Sequence, residues 1–517
     1  MKKFFLIPLI VLFVVGLSFN GWAQSKSKIV PSGTLRVSMV NFGSETFDPL
    51  ILNAVWLDII HNTALTFTPQ GEATGRVAES YSLSPDGKTW TFKIRKGVKF
   101  HNGDEVTSAD FMFSFERFIS PESKNPWANG LRRAFDRMEA PDAYTWVFHT
   151  KAPEPFLTAS FANFHITPKN YIQKNGVDHF RKNPVGTGSW KFVKLISGTS
   201  LELEAVKDHW LLTPAFEKCI IDLVPEEATR IAKLKRGETD IAPVSLDRAA
   251  ELKREGLGLQ PMVLPSIPAL AFPGTWLTKG PMSELKVRQA LSFAINRQGI
   301  ANTFFRGFAK PGGTWFLSES TWGWDPAWKP DPFDPNKAKE LLKEAGYPGK
   351  FQDPVIKVYS NAPAVAPWLP DFMQILAGYW EAVGIKTKIE PVDWAQLNSM
   401  FFVRGSEGIV GTVVPYVTTG QPNNVYHCQN LYTSKGIHST GNDPKLDALF
   451  NKLLVELDRD KAKALYREFQ EYGRSIYIVI GTVQIFDQLG LSPKVGEFAA
   501  DLHRSFQHSL AGIQHKK

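Results

Sequence analysis

The alternation of apolar and polar residues in the first half of the chain predicts β-strands joined by short turns. The stretch GTLRVSMVNF, which begins at Gly33, alternates as a half-buried strand does. The stretch SLSPDGKTWTFKIRKGVKF indicates two strands around a turn from Ser84 to Gly87. A second strand-rich region follows in DAYTWVFHT and VGTGSWKFVKLISGTSLELEAV. We therefore expect β-sheets in this half.

The segment KGVKFHNGDEVTSADFMFSFERF extends this hairpin and raises the question of a metal or acid-base site. Asn102-Gly103 is a turn dipeptide, and Thr107 or Ser108 can cap a helix with an aromatic apolar face. One histidine, His101, beside acidic residues lacks the repeated ligand spacing that metals require. The pattern favours a turn that leads into a helix.

Helical periodicity takes over in the second half. SELKVRQALSFAIN has Ser283 in the cap position, and DPNKAKELLKEAGY has Asp334 as its cap and Gly346 as its end. DFMQILAGYWEAVGIKTKIEPV predicts a helix followed by a strand, and residues 443–473 predict two further helices. Helices that alternate with strands indicate an α/β fold.

The amino-terminal segment has the pattern of an export signal. Lys2 and Lys3 precede an apolar run over residues 4–19, and the small residues of GWAQS suit signal peptidase. The run is shorter than the roughly 20 apolar residues of a membrane-spanning helix. We expect residues 1–23 to be a cleaved signal peptide and the mature chain to start near Gln24. No cysteine lies at the cleavage point, so a free periplasmic protein without a lipid anchor is expected.

Composition narrows the functional classes. The chain has 517 residues, 43% of them hydrophobic, which is enough for two or three lobes. Removing Lys2 and Lys3 lowers the net charge from +8 to +6, and the remaining lysines are scattered, which argues against a nucleic-acid partner. Cys219 and Cys428 could pair in an exported chain or stay as buried thiols, and the sequence leaves both open.

The sequence gives little support for catalysis. Ser283 and Lys286 match the S-x-x-K of penicillin-recognising enzymes, but the companion K-T-G is absent. No H-E-x-x-H, G-x-S-x-G or phosphate-binding loop occurs, and the eleven histidines are dispersed. We therefore predict no catalytic residues, no metal site and no cofactor.

Several motifs occur in the order expected of one known family. They are VAESYSLSPDGKTWTFKIRKGVKFHNGDEVTSADFMFSFERF, NPVGTGSWKF, ELKVRQALSFAINRQGI, FDPNKAKELLKEAGY and EAVGIKTKIEPVDWAQL. From about Gly33 to Phe498 the chain closely resembles the family 5 extracellular solute-binding proteins, the peptide and nickel class that serves ABC importers.

The resemblance implies an α/β fold, the two-lobed periplasmic binding protein fold of type II-like form, with an extra N-terminal subdomain. The implied segments are a signal peptide over 1–23, a first lobe with the extra subdomain over 24–271, a second lobe over 272–482, and a C-terminal return to the first lobe over 483–517. It also implies a monomer whose lobes close on a small polar organic ligand (peptide-like, saccharide-like or carboxylated) and deliver it to a membrane permease.

Three segments are expected to line the cleft by this resemblance: NFGSETFDPL, LAFPGTW and GTVVPYVTTGQPNN. The ligand-binding residues that we expect in or near them are Phe42, Glu45, Phe47, Trp276, Trp394, Tyr416, Thr418, Thr419 and Gln421.

Two departures from the family pattern bear on the ligand. Peptide-binding members usually hold the ligand's ammonium with an aspartate in the second-lobe loop, whereas residues 408–442 here contain no acidic residue. Pro273 stands where relatives commonly have asparagine. We expect a neutral or anionic polar ligand, with replacement of the missing acid by Glu45 or Asp48 as the alternative. The alternative function is a sensory binding protein that docks to a receptor. A serine hydrolase is a third functional class, which the sequence favours less.

Overall fold

The structure is a computed structural model that describes residues 29–51, 56–313, 317–361, 366–402, 408–420, 422–436, 440–496, 498 and 510–516. The predicted signal peptide and Gln421 lie outside these residues, as does the side chain of Trp394.

Strands and helices are mixed along the whole described chain, and the fold is α/β. The strands are β1 (Thr34–Met39), β2 (Leu65–Phe67), β3 (Ala73–Gly75), β4 (Ala78–Leu83), β5 (Thr89–Ile94), β6 (Phe135–Asp142), β7 (Thr145–Thr150), β8 (Trp190–Ile196), β9 (Ser200–Ala205), β10 (Lys218–Leu223), β11 (Ile241–Val244), β12 (Gly258–Pro261), β13 (Ser266–Ala271), β14 (Ala309–Pro311), β15 (Ile356–Ser360), β16 (Thr387–Pro391), β17 (Val414–Thr419), β18 (Val479–Gly481), β19 (Val483–Ile485) and β20 (Gln488–Leu491). The α-helices are α1 (Leu57–Ile60), α2 (Ser108–Ile119), α3 (Ala128–Ala134), α4 (Thr158–Phe161), α5 (Lys169–Asn175), α6 (Val177–Lys182), α7 (Glu227–Lys235), α8 (Leu246–Arg254), α9 (Leu285–Phe293), α10 (Arg297–Thr303), α11 (Pro335–Glu344), α12 (Leu369–Ala382), α13 (Trp394–Phe402), α14 (Val425–Tyr432), α15 (Pro444–Val455) and α16 (Arg459–Ser475).

A seven-stranded mixed sheet forms the base of the first lobe. Its strand order is β12-β20-β11-β1-β10-β9-β8, and β1 runs parallel to both β10 and β11. The predicted strand at Gly33 is confirmed as β1, whose Leu35 and Val37 are fully buried. Burial of such side chains contributes roughly 1.5–3 kcal/mol each.

A four-stranded antiparallel sheet, β4-β5-β7-β6, forms a separate unit of the first lobe. The predicted hairpin around Ser84 is confirmed, because β4 and β5 pair in antiparallel register. The predicted helix is α2, and Thr107 caps it together with Asp110, whose carboxylate accepts from the Thr107 amide at 2.9 Å. Its aromatic face packs Phe111 and Phe115 against Trp146 of the sheet.

The second half of the chain surrounds a sheet of order β14-β19-β13-β17, with β18 paired to β13. The parallel pair β15-β16 adjoins it through a parallel bridge between Val358 and Val413. The predicted cap at Asp334 is confirmed, since its carboxylate accepts from the Lys337 amide at 2.8 Å. Apolar clusters cover both faces of this sheet.

The described residues answer the question of the two cysteines, which the sequence left open. Cys219 on β10 and Cys428 on α14 are both buried free thiols. No helix in the described part of the chain is long and apolar enough to cross a membrane.

Candidate functional site

The chain passes twice between the seven-stranded sheet and the sheet of β13, once from β12 to β13 and once from β19 to β20. The two crossings touch, because Ser266 Oγ donates to Asp487 Oδ2 at 2.8 Å and Met262 N–H donates to Asp487 O at 2.8 Å. Two adjacent connections between packed units are the usual form of a hinge. The chain passes from one sheet to the other at residues 262–265 and again at residues 486–487, a few residues from the predicted lobe boundaries.

The first-lobe edge that faces the crossings holds the loop after β1. β1 and β11 are parallel, and Val244 at the end of β11 pairs with Gln488 beside the second crossing. The turn between β8 and β9 lies at the same edge, and Glu45 joins it to the loop. The Glu45 carboxylate accepts from Ser197 Oγ at 2.5 Å and from Gly198 N–H at 2.8 Å.

The second-lobe edge is built from the carboxyl ends of three strands. β15, β16 and β17 run in the same direction, and β13 starts where β17 ends, with Ser266 paired to Thr419. Ligands of open α/β sheets commonly bind outside the carboxyl ends of strands. Thr418 and Thr419, which were predicted from the sequence, lie at this edge and are partly exposed.

Tyr416 lies two residues before Thr418 on β17, and its side chain is therefore on the same face of the sheet. Its ring centroid is 6.0 Å from that of His427, and burial raises the pKa of its hydroxyl. The Thr418 hydroxyl donates to the Thr419 carbonyl at 3.3 Å. This corner of the edge therefore offers hydroxyl groups and an aromatic ring.

Two predicted aromatic residues belong to the core of the first lobe. Phe42 and Phe47 are 3% and 1% exposed, and each ring centroid lies 5.2 Å from that of Trp56. Phe47 also contacts Phe192 at 5.0 Å. These side chains fix the loop that carries Glu45, and we do not retain them among the expected ligand contacts.

Trp276 and the predicted threonines are placed by opposite ends of β13. The strand leads from the crossing at Ser266 to Ala271, roughly 17 Å away at about 3.3 Å per residue. Trp276 follows this far end, where the Gly411 amide donates to the Pro273 carbonyl at 2.9 Å. Trp276 therefore follows the end of β13 opposite to the end that pairs with Thr418 and Thr419.

The β2-β3 hairpin and the segment after β7, both in the first lobe, also touch the second lobe away from the crossings. Glu72 forms ion pairs with Arg459 and with Lys463, the latter at 2.9 Å. Tyr426 OH donates to a Glu154 carboxylate oxygen at 2.9 Å. These contacts, together with the crossings, enclose the space between the two sheet edges from more than one side.

Apolar contacts accompany these polar ones. The Phe156 and Trp322 rings meet edge-to-face at 5.7 Å, and Leu457 approaches the turn at Gly87. A cavity of about 240 Å³ lies between the units beside Asn423. The space between the lobes therefore extends beyond the β17 edge.

Of the two acids considered from the sequence, Asp48 is committed to structure. Its carboxylate is fully buried and accepts from Arg117 Nη2 at 3.0 and 2.9 Å and from Arg181 Nε at 3.2 Å. Glu45 is partly exposed. Only Glu45 of this pair can offer a carboxylate to the cleft.

The histidine of the turn, His101, is a partly buried residue that bonds to the backbone of the first lobe. His101 Nε2 donates to the Gly188 carbonyl at 2.9 Å, and His209 Nε2 donates to the Thr187 carbonyl at 2.8 Å. Burial lowers the pKa of His61 to about 3 and those of His101 and His209 to about 4. No group of three metal-ligating side chains with metal-site geometry occurs among the residues that the structure describes.

The S-x-x-K pair is not arranged for catalysis. Ser283 Oγ donates to the Gly280 carbonyl at 2.8 Å, and Lys286 Nζ pairs with Glu344 at 2.9 Å. The prediction that Ser283 caps the following helix is wrong. Ser283 ends a 3₁₀ turn, and Glu284 is the residue that precedes α9.

Three residues at the second-lobe edge were not predicted from the sequence. Asn361 directly follows β15, Gln484 lies on β19, and Ser318 approaches the end of β17. All three are buried, with exposures of 3%, 2% and 4%. Their positions depend on the alignment of strands distant in sequence, so no local pattern marks them.

Comparison with known proteins matches residues 72–436 to the bacterial extracellular solute-binding proteins, family 5. The chain is 27% identical over 429 residues to heme-binding protein A of Haemophilus influenzae, which covers 76% of each chain. It is 27% identical over 428 residues to the dipeptide-binding protein of Escherichia coli, which covers 76% of this chain and 77% of that protein.

A solved structure shares the fold. NikA from Brucella suis in complex with Fe(III)-EDTA matches with a TM-score of 0.81 at 21% identity, covering 94% of this chain and 100% of that chain. The predicted two-lobed periplasmic binding protein fold is confirmed by this likeness.

Proposed function

Because this chain belongs to the bacterial extracellular solute-binding proteins, family 5, we propose that it captures a small polar organic ligand between its lobes and delivers it to the membrane permease of an ABC importer. The supporting observation is the cleft itself, in which strand ends of both lobes meet beside a double crossing. Contacts completed only when the lobes approach would couple ligand binding to closure. We further propose an exported periplasmic monomer without catalytic activity.

The chemical class of the ligand has to be inferred from the residues of this chain. The names of the relatives mention a dipeptide and heme, and the solved structure holds Fe(III)-EDTA, so the family accepts chemically different ligands. Residues 408–442 supply hydroxyls, amides and rings but no carboxylate. A buried ammonium without a carboxylate partner would cost several kcal/mol. We therefore propose a neutral or anionic polar organic ligand, with Glu45 as the only remaining first-lobe acid of the two considered.

Two measurements test this proposal. Native mass spectrometry of the protein purified from a periplasmic extract should reveal a bound small molecule. Calorimetric titration with mixtures of di-, tri- and tetrapeptides, compared with the same mixtures after N-acetylation, tests the charge preference. We expect no requirement for a free amino group. Micromolar binding that disappears on acetylation would contradict the ligand class, and Glu45→Gln would then show whether Glu45 supplies the missing carboxylate.

A further inference from the structure

The second-lobe edge carries buried polar atoms that lack hydrogen-bond partners. Both side-chain polar atoms of Asn361, the carbonyl oxygen Oε1 of Gln484 and the hydroxyl of Ser318 have none among the described residues. A buried polar group left unbonded costs about 1–3 kcal/mol, so native proteins keep few of them without a reason. Four such atoms on three residues of one sheet edge require an explanation.

Asn361 lies beside Tyr416 on the face that points away from the β15-β17 bridge residues. Val358 and Val413 pair in parallel, and both belong to the apolar cluster on one face of the sheet. Three residues further along each strand are Asn361 and Tyr416, which alternation assigns to the opposite face. Tyr359, two residues before Asn361, packs in the cluster on that opposite face. Asn361 thus continues the row at the ends of β15 and β17.

Gln484 reaches the same row from the other side. Ser266 pairs with Ile485, so Gln484 is level with Ile267, and Ile267 pairs with Thr418. Ile267 belongs to the same apolar cluster as Tyr359, and Ile485 belongs to the cluster on the other face. Alternation therefore places Gln484 on the face of Thr418.

Ser318 is held next to this row by Gln484. Gln484 Nε2 donates to the carbonyl of Leu317 at 2.8 Å, which positions the adjacent Ser318. A Cβ atom at Gly420, directly after β17, would lie 3.2 Å from Ser318 Oγ. Asn361, Gln484 and Ser318 therefore share the edge that holds Thr418, and we call these three residues the polar floor.

We infer that the polar floor is the part of the ligand cleft that recognises an uncharged group of the ligand, one that carries hydrogen-bond donors as well as an acceptor. The inference rests on the proposed function and narrows it. Asn361 Oδ1 and Gln484 Oε1 are acceptors only, so the ligand must bring N–H or O–H donors, which a carboxylate alone does not have. Asn361 Nδ2 needs an acceptor in return. Carboxamides and polyols have both.

The absence of a carboxylate argues against an ammonium as the group that the polar floor binds. An ammonium could donate to two amide oxygens, but the floor and residues 408–442 provide no carboxylate to offset its burial. Neutral amide or hydroxyl donors carry no such cost.

Variants that replace amides by apolar side chains of similar size test the inference. We would compare the wild-type protein with Asn361→Leu and Gln484→Met after removing bound molecules by dialysis from guanidinium chloride. The matched control is Asn125→Leu, because Asn125 is also buried but bonded on both sides, to the Pro49 carbonyl at 3.2 Å and the Trp127 amide at 3.1 Å. The melting temperature of the ligand-free control should fall, whereas that of Asn361→Leu, whose replaced polar atoms make no hydrogen bond to the described residues, should stay level or rise. Gln484→Met also loses the bond to the Leu317 carbonyl, so this variant is compared in binding only.

Binding is then measured by calorimetry with three probes: a neutral trisaccharide, N-acetylated tripeptide amides and free-amine tripeptides. Wild-type binding of either neutral probe decides between polyol and carboxamide, and each floor variant should weaken it about 10- to 100-fold. An Asn361→Leu protein that melts as low as the Asn125 control, or floor variants that keep wild-type affinity, would overturn the inference. Preference for free-amine tripeptides would also overturn it. A wild-type protein that binds no probe and purifies with no small molecule would instead count against the proposed function, and the melting temperatures would still decide the role of the floor.

Discussion

Replacing Asp48 by asparagine tests whether this acid supports the fold or could serve the ligand. Asp48 is fully buried, and the side chain of its main partner Arg117 is only 13% exposed. Breaking a buried pair on one side costs about 3–5 kcal/mol, because the other charge stays buried without compensation. Arg181 contributes little to that cost, because its side chain is 42% exposed and can turn to water. We expect Asp48→Asn to lose about 3–5 kcal/mol of unfolding free energy.

The assay is chemical denaturation at pH 7 followed by tryptophan fluorescence, with Glu45→Gln as the control. Glu45 is partly exposed and accepts two hydrogen bonds from the neighbouring turn, so its variant should lose no more than about 1–2 kcal/mol. An Asp48→Asn protein with wild-type stability and a changed preference for charged ligands would refute the reasoning. Asp48 would then have to be counted as a ligand acid.

Three further predictions concern pH, closure and export. His61, His101 and His209 have lowered pKa values in the folded protein, whereas the ordinary histidine pKa of 6.5 applies to the unfolded chain. The folded protein therefore binds fewer protons at these residues than the unfolded chain does. Denaturation at a series of pH values should therefore show the free energy of unfolding fall from about pH 6.5 towards pH 4, by at most about 1.4 kcal/mol per histidine and pH unit. A free energy of unfolding that stays constant over this range would contradict the lowered pKa values. Gly71→Ala should raise the radius of gyration measured by small-angle scattering with ligand present, because the new Cβ would lie 2.3 Å from the Pro422 carbonyl of the second lobe. The control Gly97→Ala has a similar positive φ but no heavy atom of the described chain within 4 Å, so an equal effect of both variants would point to backbone strain alone. Intact mass from a periplasmic extract should give a chain that starts within a few residues of Gln24 without lipid, and a full-length or acylated chain would contradict the signal-peptide prediction.

The features that the sequence predicted well depend on neighbouring residues. The hairpin around Ser84 and the caps at Thr107 and Asp334 involve contacts within a few positions, and all three are present. Ser283 failed as a cap although its pattern was as good, because the 3₁₀ turn that it ends shifts the helix start by one residue. Local patterns therefore give the elements reliably and their ends less so.

The candidate site was harder to predict because its residues meet only through sheet pairing. Phe42 and Phe47 lie in the expected segment, yet a pocket and a core both favour aromatic residues, and only the contact with Trp56 decides between them. Asn361 and Gln484 stand in ordinary strand contexts more than 100 positions apart. Their common face follows from pairings of β13 with β17 and β19 that no sequence window contains.

Charge is distributed differently over the two kinds of contact between the lobes. The contacts outside the cleft include the ion pairs of Glu72 with Arg459 and Lys463, whose side chains are 27–53% exposed. Exposed ion pairs contribute at most about 1 kcal/mol of stabilisation and are weakened by salt. These pairs therefore favour the approach of the lobes but stabilise the closed form only weakly. The polar floor is uncharged and buried, so satisfying it would stabilise the closed form through hydrogen bonds that salt screens little. On this division, the outer pairs do not distinguish between ligands, whereas the floor would select which ligand completes the closed state.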